Sequence, residues 1–201
     1  MPDEVRVVLA TRNPHKVDEV RAALRVPGIR LVGLDQFPRA PEVDEDGDTF
    51  EANAVKKALV TAAMTGLPAL ADDSGLWVDA IGGEPGVQSA RYAGLGAGDA
   101  ANRALLLKRL RGVEPERRTA RFLCVLALAV PDGGVETCEG TCEGRILDAE
   151  RGKGGFGYDP LFVPHGEKRT FAEMTRDEKA GLSHRGRALR AAVPLLRGIL
   201  A

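Results

Sequence analysis

The sequence has 201 residues, a length typical of one domain, and 44% of them are hydrophobic, which is enough for a sizeable core. Its 28 basic and 29 acidic residues leave a net charge of -1, which argues against a protein that coats a nucleic acid, although a few local Lys and Arg side chains suffice to bind a small anion. No apolar run approaches the roughly 20 residues that span a membrane. Three cysteines and the lack of an N-terminal signal favour a reduced, cytoplasmic environment.

The N-terminal part of the chain predicts two strands separated by a helix. A β-branched run predicts the first strand over residues 5–10. Asn13 suits a helix N-cap, and Pro14 suits the first turn of the helix that follows. Residues 29–34 have the composition of a second strand, and residues 38–48 form a mobile loop rich in acidic residues.

An acidic pair follows the next helix. A capping box that starts at Asp48 predicts a helix that ends before Gly66. The apolar run 67–71 then predicts a buried strand that stops at Asp72 and Asp73. Because side chains alternate along a strand, the two carboxylates should point to opposite sides, so that one serves the chemistry while the other holds the turn.

The second half of the chain continues the alternation of helices and strands. A helix is expected over 99–110, a long strand over 121–130, and a further strand from Val135 beyond Gly133-Gly134. A capping box lies at Thr175, and the last helix begins at about Ser183, with Pro194 expected to bend or interrupt it. The pattern predicts an α/β fold.

The segment from Thr11 to Lys16 lies between a strand and a helix, where free backbone N–H groups and the helix dipole favour a phosphate. An ordinary capped helix with a solvated lysine is the alternative interpretation. Lys57 also allows two interpretations: it is either a surface lysine or a clamp for a phosphate. The acidic run 44–48 is either a solvated loop or the source of a carboxylate that joins Asp73 around Mg²⁺, which needs few protein ligands.

A glycine-rich loop at 154–160 contains two aromatic side chains, Phe156 and Tyr158. Such a loop suits an exposed stacking platform for a planar base, with Asp159 accepting a hydrogen bond from a purine N–H. A packed turn with Phe156 buried is the alternative. Near the start of the last helix, Arg185 offers donors for a purine 6-oxo group, and His184 has either a structural or a functional role.

Four motifs in this order resemble those of the inosine/xanthosine triphosphate pyrophosphatases, also called Ham1-like proteins: residues 11–16, 72–75, 156–159 and 183–185. The resemblance extends from Leu9 to Arg185. It implies a long mixed central β-sheet flanked by helices, in a single domain over residues 1–201 with two lobes and a substrate cleft between them. It also implies a cytoplasmic homodimer that hydrolyses ITP, dITP and XTP to the monophosphate and pyrophosphate with Mg²⁺.

The resemblance also implies roles for individual residues. Asp73 would be the proton acceptor and, with Asp44, a metal ligand; the position of Asp44 is more often Glu in the family, so Glu45 is the other candidate. Arg12 and Ala52 depart from the family pattern, which more often has Gly or Ser at the first position and Glu at the second. The substrate-binding residues that it implies are Thr11, Arg12, Asn13, Pro14, His15, Lys16, Lys57, Ser74, Phe156, Gly157, Tyr158, Asp159, Lys179, His184 and Arg185.

Two other functions fit the motifs less closely. A Maf-like pyrophosphatase would act on pyrimidine or other modified nucleotides, and its substrate profile would distinguish it. A non-catalytic nucleotide sensor would bind ITP without releasing pyrophosphate, but a pure phosphate binder has little use for the paired acids at 72–73.

Overall fold

The computed structural model describes residues 4–131 and 133–200, and its strands form a mixed sheet. Within this part of the chain the sheet has six strands in the order β2-β1-β3-β4-β5-β6, with β1 parallel to both β2 and β3, and β5 antiparallel to β6. The predicted α/β class with a mixed central sheet is therefore confirmed. The strands are β1 (Val5–Leu9), β2 (Ile29–Gly33), β3 (Ala69–Val78), β4 (Thr119–Ala129), β5 (Val135–Ile146) and β6 (Phe162–Pro164).

The cap of the second helix differs from the prediction, and the last helix is not interrupted at Pro194. Thr49, rather than Asp48, caps the second helix, because its side chain accepts the N–H of Ala52. Pro194 lies inside the last helix without ending it. None of the helices in the described residues is both long and apolar enough to cross a membrane. The α-helices are α1 (Pro14–Ala23), α2 (Phe50–Thr65), α3 (Gly98–Arg109), α4 (Arg176–Leu182) and α5 (His184–Gly198).

The chain divides into two compact units. The first comprises the chain up to Asp73, Cys124–Gly140 and the residues from Gly186 onward, and the second comprises Ser74–Leu123 and Thr141–Arg185. Strands β3, β4 and β5 contribute residues to both units. The assignment of residues 1–201 to a single domain, and the substrate cleft, remain predictions.

Strand alternation gives the first unit two hydrophobic cores. Leu70 of β3 packs in a cluster that includes Val20 of α1, whereas its neighbours Ala69 and Ala71 pack in a second cluster that includes Ala58 of α2. Successive residues of β3 therefore face different helices, as the pleat of a strand requires. This alternation also places the next two residues, Asp72 and Asp73, on opposite faces of the strand.

The second unit has a core of its own, rich in aromatic side chains. The rings of Phe122 and Phe162 meet edge to face with their centroids 4.8 Å apart, and Phe171 packs in the same cluster. Leu106 fixes α3 to this core. The glycine-rich loop at 154–160 is joined to it through Tyr158, whose side chain is buried there.

Candidate active site

The two acids of β3 lie in the middle of a strand, not at its end. The strand runs from Ala69 to Val78, so the prediction that it stops at Asp72 and Asp73 is wrong. Both side chains are nearly inaccessible, at 4% and 5% exposure. Buried carboxylates require charged or hydrogen-bonding partners, and here α1 and α2 supply them, so the chain does not need to turn towards solvent at this point.

Asp73 continues the face of β3 that packs on α2, and its partners come from that helix. Lys57 Nζ lies 3.2 Å from Asp73 Oδ1, and Asn53 Nδ2 donates to Asp73 Oδ2 at 3.2 Å. Lys57 also donates to the backbone carbonyl of Asp72 at 2.7 Å and pairs with Glu45. The interpretation of Lys57 as a surface lysine is therefore wrong, because one buried ammonium holds two carboxylates together.

The pKa values of both Lys57 and Asp73 are raised, for different reasons. Burial alone would lower the pKa of Lys57, but the negative charges of Asp73 and Glu45 outweigh it and the pKa is raised. Burial raises the pKa of Asp73; Lys57 opposes this, while the nearby charge of Glu45 adds to it. Lys57 therefore keeps its proton, and Asp73 is a carboxylate with an enhanced affinity for one, as a general base requires.

Asp72 continues the opposite face of β3 and lies beside α1. It forms an ion pair with Lys16, and Cys124 Sγ donates to its Oδ2 at 3.2 Å. The alternation of the two acids between opposite sides is thus confirmed by their partners. The predicted role of Asp72 in holding a turn is wrong, because no turn exists there; Asp72 holds the ammonium of Lys16 instead.

The predicted phosphate loop forms the N-terminus of α1. Asn13 is the N-cap, as predicted, and its Oδ1 accepts the N–H groups of His15 at 3.0 Å and Lys16 at 3.4 Å. Pro14 occupies the first turn. Thr11 Oγ1 accepts the N–H of Asn13 at 3.2 Å, and Arg12 donates to the carbonyl of Ala40 at 2.7 Å. The loop presents a cationic lysine at a helix N-terminus, a position that suits an anion.

In the second unit, cationic side chains surround the ring of Phe156. Lys179 Nζ lies 4.8 Å from the ring centroid and Arg185 Cζ lies 5.7 Å from it. Arg185 is buried, with 2% of its surface exposed, and its Nη2 donates to Ser74 Oγ at 2.8 Å. Phe156 itself is half-buried. A guanidinium held this firmly beside an aromatic ring can discriminate between planar ligands.

Other residues of these motifs pack or form hydrogen bonds within the second unit. Tyr158 is buried and donates its hydroxyl proton to the carbonyl of Ser89 at 2.9 Å, so the prediction of an exposed stacking aromatic is wrong for this residue. Asp159 is also buried, and its Oδ2 accepts from the N–H of Phe156 at 2.9 Å and from Lys179 at 2.6 Å. The ring of His184 stacks on Phe122 with centroids 4.6 Å apart. Substrate contacts by these residues remain predictions.

The structure favours Glu45 over Asp44 as the second acid of the cluster. Glu45 meets the same Lys57 ammonium as Asp73, whereas the side chain of Asp44 is exposed. Among the described residues no three acidic, His or Cys side chains form a metal-binding group. Two carboxylates nevertheless fit Mg²⁺, which completes its shell with water and substrate phosphates. Glu45 and Asp73 are therefore the residues that would hold this ion.

Asn53 is the member of the cluster that the sequence analysis missed. Besides donating to Asp73, it accepts the N–H of Gly47 at 2.8 Å and so fastens the acidic loop to α2. Asn53 and Lys57 are one helical turn apart, and both are buried next to Ala54 and Ala58. In the sequence, the only sign of this role is the spacing of the two polar residues, four positions apart and next to the apolar positions of the same helix.

Comparison with known proteins agrees with this arrangement of motifs. The model of the Ham1 family matches residues 7–195, nearly the whole chain. The chain belongs to the Ham1 family. Among curated Ham1 relatives, the dITP/XTP pyrophosphatase of Desulforamulus reducens is 53% identical over 96% of both chains, and that of Thermus thermophilus is 55% identical over 93% of this chain and 89% of its own. A solved HAM1 protein from Coxiella burnetii is 42% identical, covers 96% of this chain and 99% of its own, and superposes with a TM-score of 0.88.

Proposed function

We propose that this Ham1 protein hydrolyses non-standard purine nucleoside triphosphates, dITP, ITP and XTP, to the monophosphate and pyrophosphate. The observation that carries the proposal is the buried cluster in which Lys57 holds Asp73 and Glu45. A pure binding protein would gain little from two carboxylates next to a phosphate site, because their charge repels the ligand. Relatives named dITP/XTP pyrophosphatases that align over almost all of this chain support the same reaction.

In the proposed reaction a water molecule attacks the α-phosphorus, the bond from this phosphorus to its bridging oxygen breaks, and pyrophosphate leaves. Asp73 accepts the proton of the water, a role that suits its raised pKa. Lys16 and Lys57 place positive charge where the phosphate oxygens become more negative, the main electrostatic requirement of phosphoryl transfer. Thr11 and Asn13 keep the N-terminal turn of α1 in place around the phosphates.

Mg²⁺ is the proposed cofactor. Glu45 and Asp73 would hold it, and when bound it would neutralise phosphate charge and orient the reacting oxygens. Chelation with EDTA should abolish turnover, and Mg²⁺ should restore it. Full activity after exhaustive chelation would remove the metal from the proposal.

The base would be read by Phe156 and Arg185. Phe156 offers a half-buried ring for stacking, and the guanidinium lies 5.7 Å from its centroid. Arginine donors suit the 6-oxo group of hypoxanthine or xanthine but meet a donor in the 6-amino group of adenine. Each such buried mismatch costs about 1–3 kcal/mol, so a few contacts reject ATP strongly.

Initial rates with dITP, ITP, XTP, ATP, GTP and pyrimidine triphosphates, together with product identification, test the proposal. Pyrophosphate release from dITP and XTP supports it. Preference for a pyrimidine nucleotide would indicate a Maf-like activity, and binding of ITP without turnover would indicate a sensor. Either result would contradict the proposed function.

We also infer a homodimer that acts on the cytoplasmic nucleotide pool. None of the three described cysteines forms a disulfide bond, as expected in a reducing compartment. The family resemblance supports the dimer. Sedimentation equilibrium at micromolar concentration tests it, and a mass near the 21.4 kDa of one chain would contradict it.

A further inference from the structure

Two side chains of helix α3 form hydrogen bonds with the backbone of the glycine-rich loop at one residue, Gly157. The N–H of Gly157 donates to Asp99 Oδ2 at 2.6 Å, and its carbonyl accepts from Arg103 Nη1 at 2.9 Å. A charged partner on both the donor and the acceptor of one residue fixes its two flanking peptide groups. None of the four motifs of the family resemblance contains Asp99 or Arg103.

Asp99 and Arg103 belong to a helix that is fixed to the core, although Asp99 itself is exposed. They are one turn apart on α3, so their side chains project from the same face of the helix. Leu106, in the next turn, is fully buried in the aromatic core. Arg103 is held further by an ion pair from its Nε to Glu150 at 2.9 Å. The helix therefore provides a rigid base for these two contacts.

Gly157 immediately follows Phe156, whose ring is proposed to stack on the base. Gly157 has φ +59°, a left-handed conformation that favours glycine, and it connects Phe156 to the buried Tyr158. On the N-terminal side of Phe156, its own backbone N–H donates to Asp159 Oδ2. The orientation of the Phe156 ring thus depends on backbone contacts at both Phe156 and Gly157.

We propose that Asp99 and Arg103 are positioning residues for recognition of the purine base. They hold the peptide groups of Gly157 so that the ring of Phe156 is already oriented beside Arg185 when the base arrives. This inference rests on the proposed function, because it assumes that a purine stacks on Phe156. It adds that base selection depends on a helix outside the nucleotide-binding motifs.

Loss of these contacts has a specific kinetic signature. Without them, the loop is ordered only when the base binds, and that ordering free energy is taken from the binding free energy. The loss affects the ground state and the transition state equally, so KM rises while kcat is nearly unchanged. Discrimination between XTP and ATP falls as well, because a mobile ring no longer sets the base against the guanidinium.

The experiment compares wild type with Asp99→Ala, the double variant Asp99→Ala/Arg103→Ala, and Asp99→Asn, whose amide oxygen can still accept the Gly157 N–H. Arg109→Ala is the matched control, because Arg109 lies on the same helix but pairs with Glu84 at the surface, 3.2 Å away. Steady-state kinetics with dITP, XTP and ATP give KM, kcat and selectivity. Hydrogen exchange of the peptide that covers 154–159 reports the loop directly, without substrate.

The double variant should raise KM for dITP and XTP about tenfold, with kcat within about twofold of wild type, as expected for two partly exposed hydrogen bonds. Exchange in 154–159 should speed up in the double variant. Asp99→Ala should show a smaller change of the same kind in both KM and exchange, Asp99→Asn should stay close to wild type in both, and Arg109→Ala should change neither. Unchanged exchange and unchanged KM in the double variant would overturn the inference, as would a fall in kcat alone. If wild type releases no pyrophosphate from dITP or XTP, the proposed function fails instead. Hydrogen exchange then still tests whether Asp99 and Arg103 order the backbone at Gly157.

Discussion

Replacement of Lys57 by Met should destabilise the protein strongly, because the ammonium is shared between the buried Asp73 and the partly exposed Glu45. At the 3.2 Å separation of Lys57 and Asp73, and with an effective dielectric constant of about 20, the attraction is worth about 5 kcal/mol before desolvation is subtracted. Removing one partner of a buried pair leaves the other charge uncompensated and typically costs about 3–5 kcal/mol. Met keeps most of the aliphatic stem, so the loss reports the charge rather than a cavity.

Urea unfolding at pH 7, followed by circular dichroism, measures this loss. The neighbouring Lys56→Met is the matched control on the same helix, because Lys56 is 41% exposed in its pair with Asp46 and should contribute less than about 1 kcal/mol. The double variant Lys57→Met/Asp73→Asn should recover part of the loss, since it removes one of the orphaned charges. The reasoning is refuted if Lys57→Met costs no more than Lys56→Met, or if the double variant is less stable than Lys57→Met alone.

Two further predictions concern single carboxylates. Asp73→Asn should lower kcat by roughly 10²–10⁴-fold while nucleotide affinity, measured by calorimetry, stays close to wild type, because a general base is lost and the shape of the site is kept; a kcat near wild type would exclude Asp73 from that role. The N–H of Thr175 and the guanidinium of Arg169 lower the pKa of Glu178 from 4.5 to about 2. Glu178 therefore contributes stability that is present above pH 4.5 and is lost as the pH falls towards 2. An NMR titration of Glu178 with a midpoint near 4.5 would contradict this prediction, and Glu178→Gln should flatten the acid limb of the stability profile.

Local patterns predicted the helix N-terminus and the alternation of the acids. Asn13 and Pro14 are where capping rules place them, because a cap depends only on residues within one turn. Strand alternation likewise assigned Asp72 and Asp73 to different sides, and the partners Lys16 and Lys57 confirm it. Both inferences rest on geometry that neighbouring residues fix.

The end of the strand could not be predicted, because it depends on residues far apart in the sequence. Asp73 remains buried within β3 only because Lys57 and Asn53, 16 and 20 residues earlier, supply charge and hydrogen bonds. From the sequence alone, two adjacent acids predict the end of the strand. A buried ion pair requires tertiary packing to bring its members together, and no local rule includes that free energy.

The aromatic loop shows the same limitation. Phe156 and Tyr158 are two residues apart in a glycine-rich segment, and composition treats them alike. In the structure Phe156 is half-buried beside Lys179 and Arg185, whereas Tyr158 lies in the core with its hydroxyl bonded to Ser89. The difference arises from contacts with segments more than 20 residues away.

The most direct test of the proposed function is the product of the first turnover on dITP and XTP compared with ATP. The structure and the family resemblance predict one pyrophosphate for each monophosphate, at a kcat/KM about 100-fold or more above that for ATP, as expected when buried donors reject an adenine amino group. Orthophosphate as the first product, or equal kcat/KM values for ATP and XTP, would contradict the account.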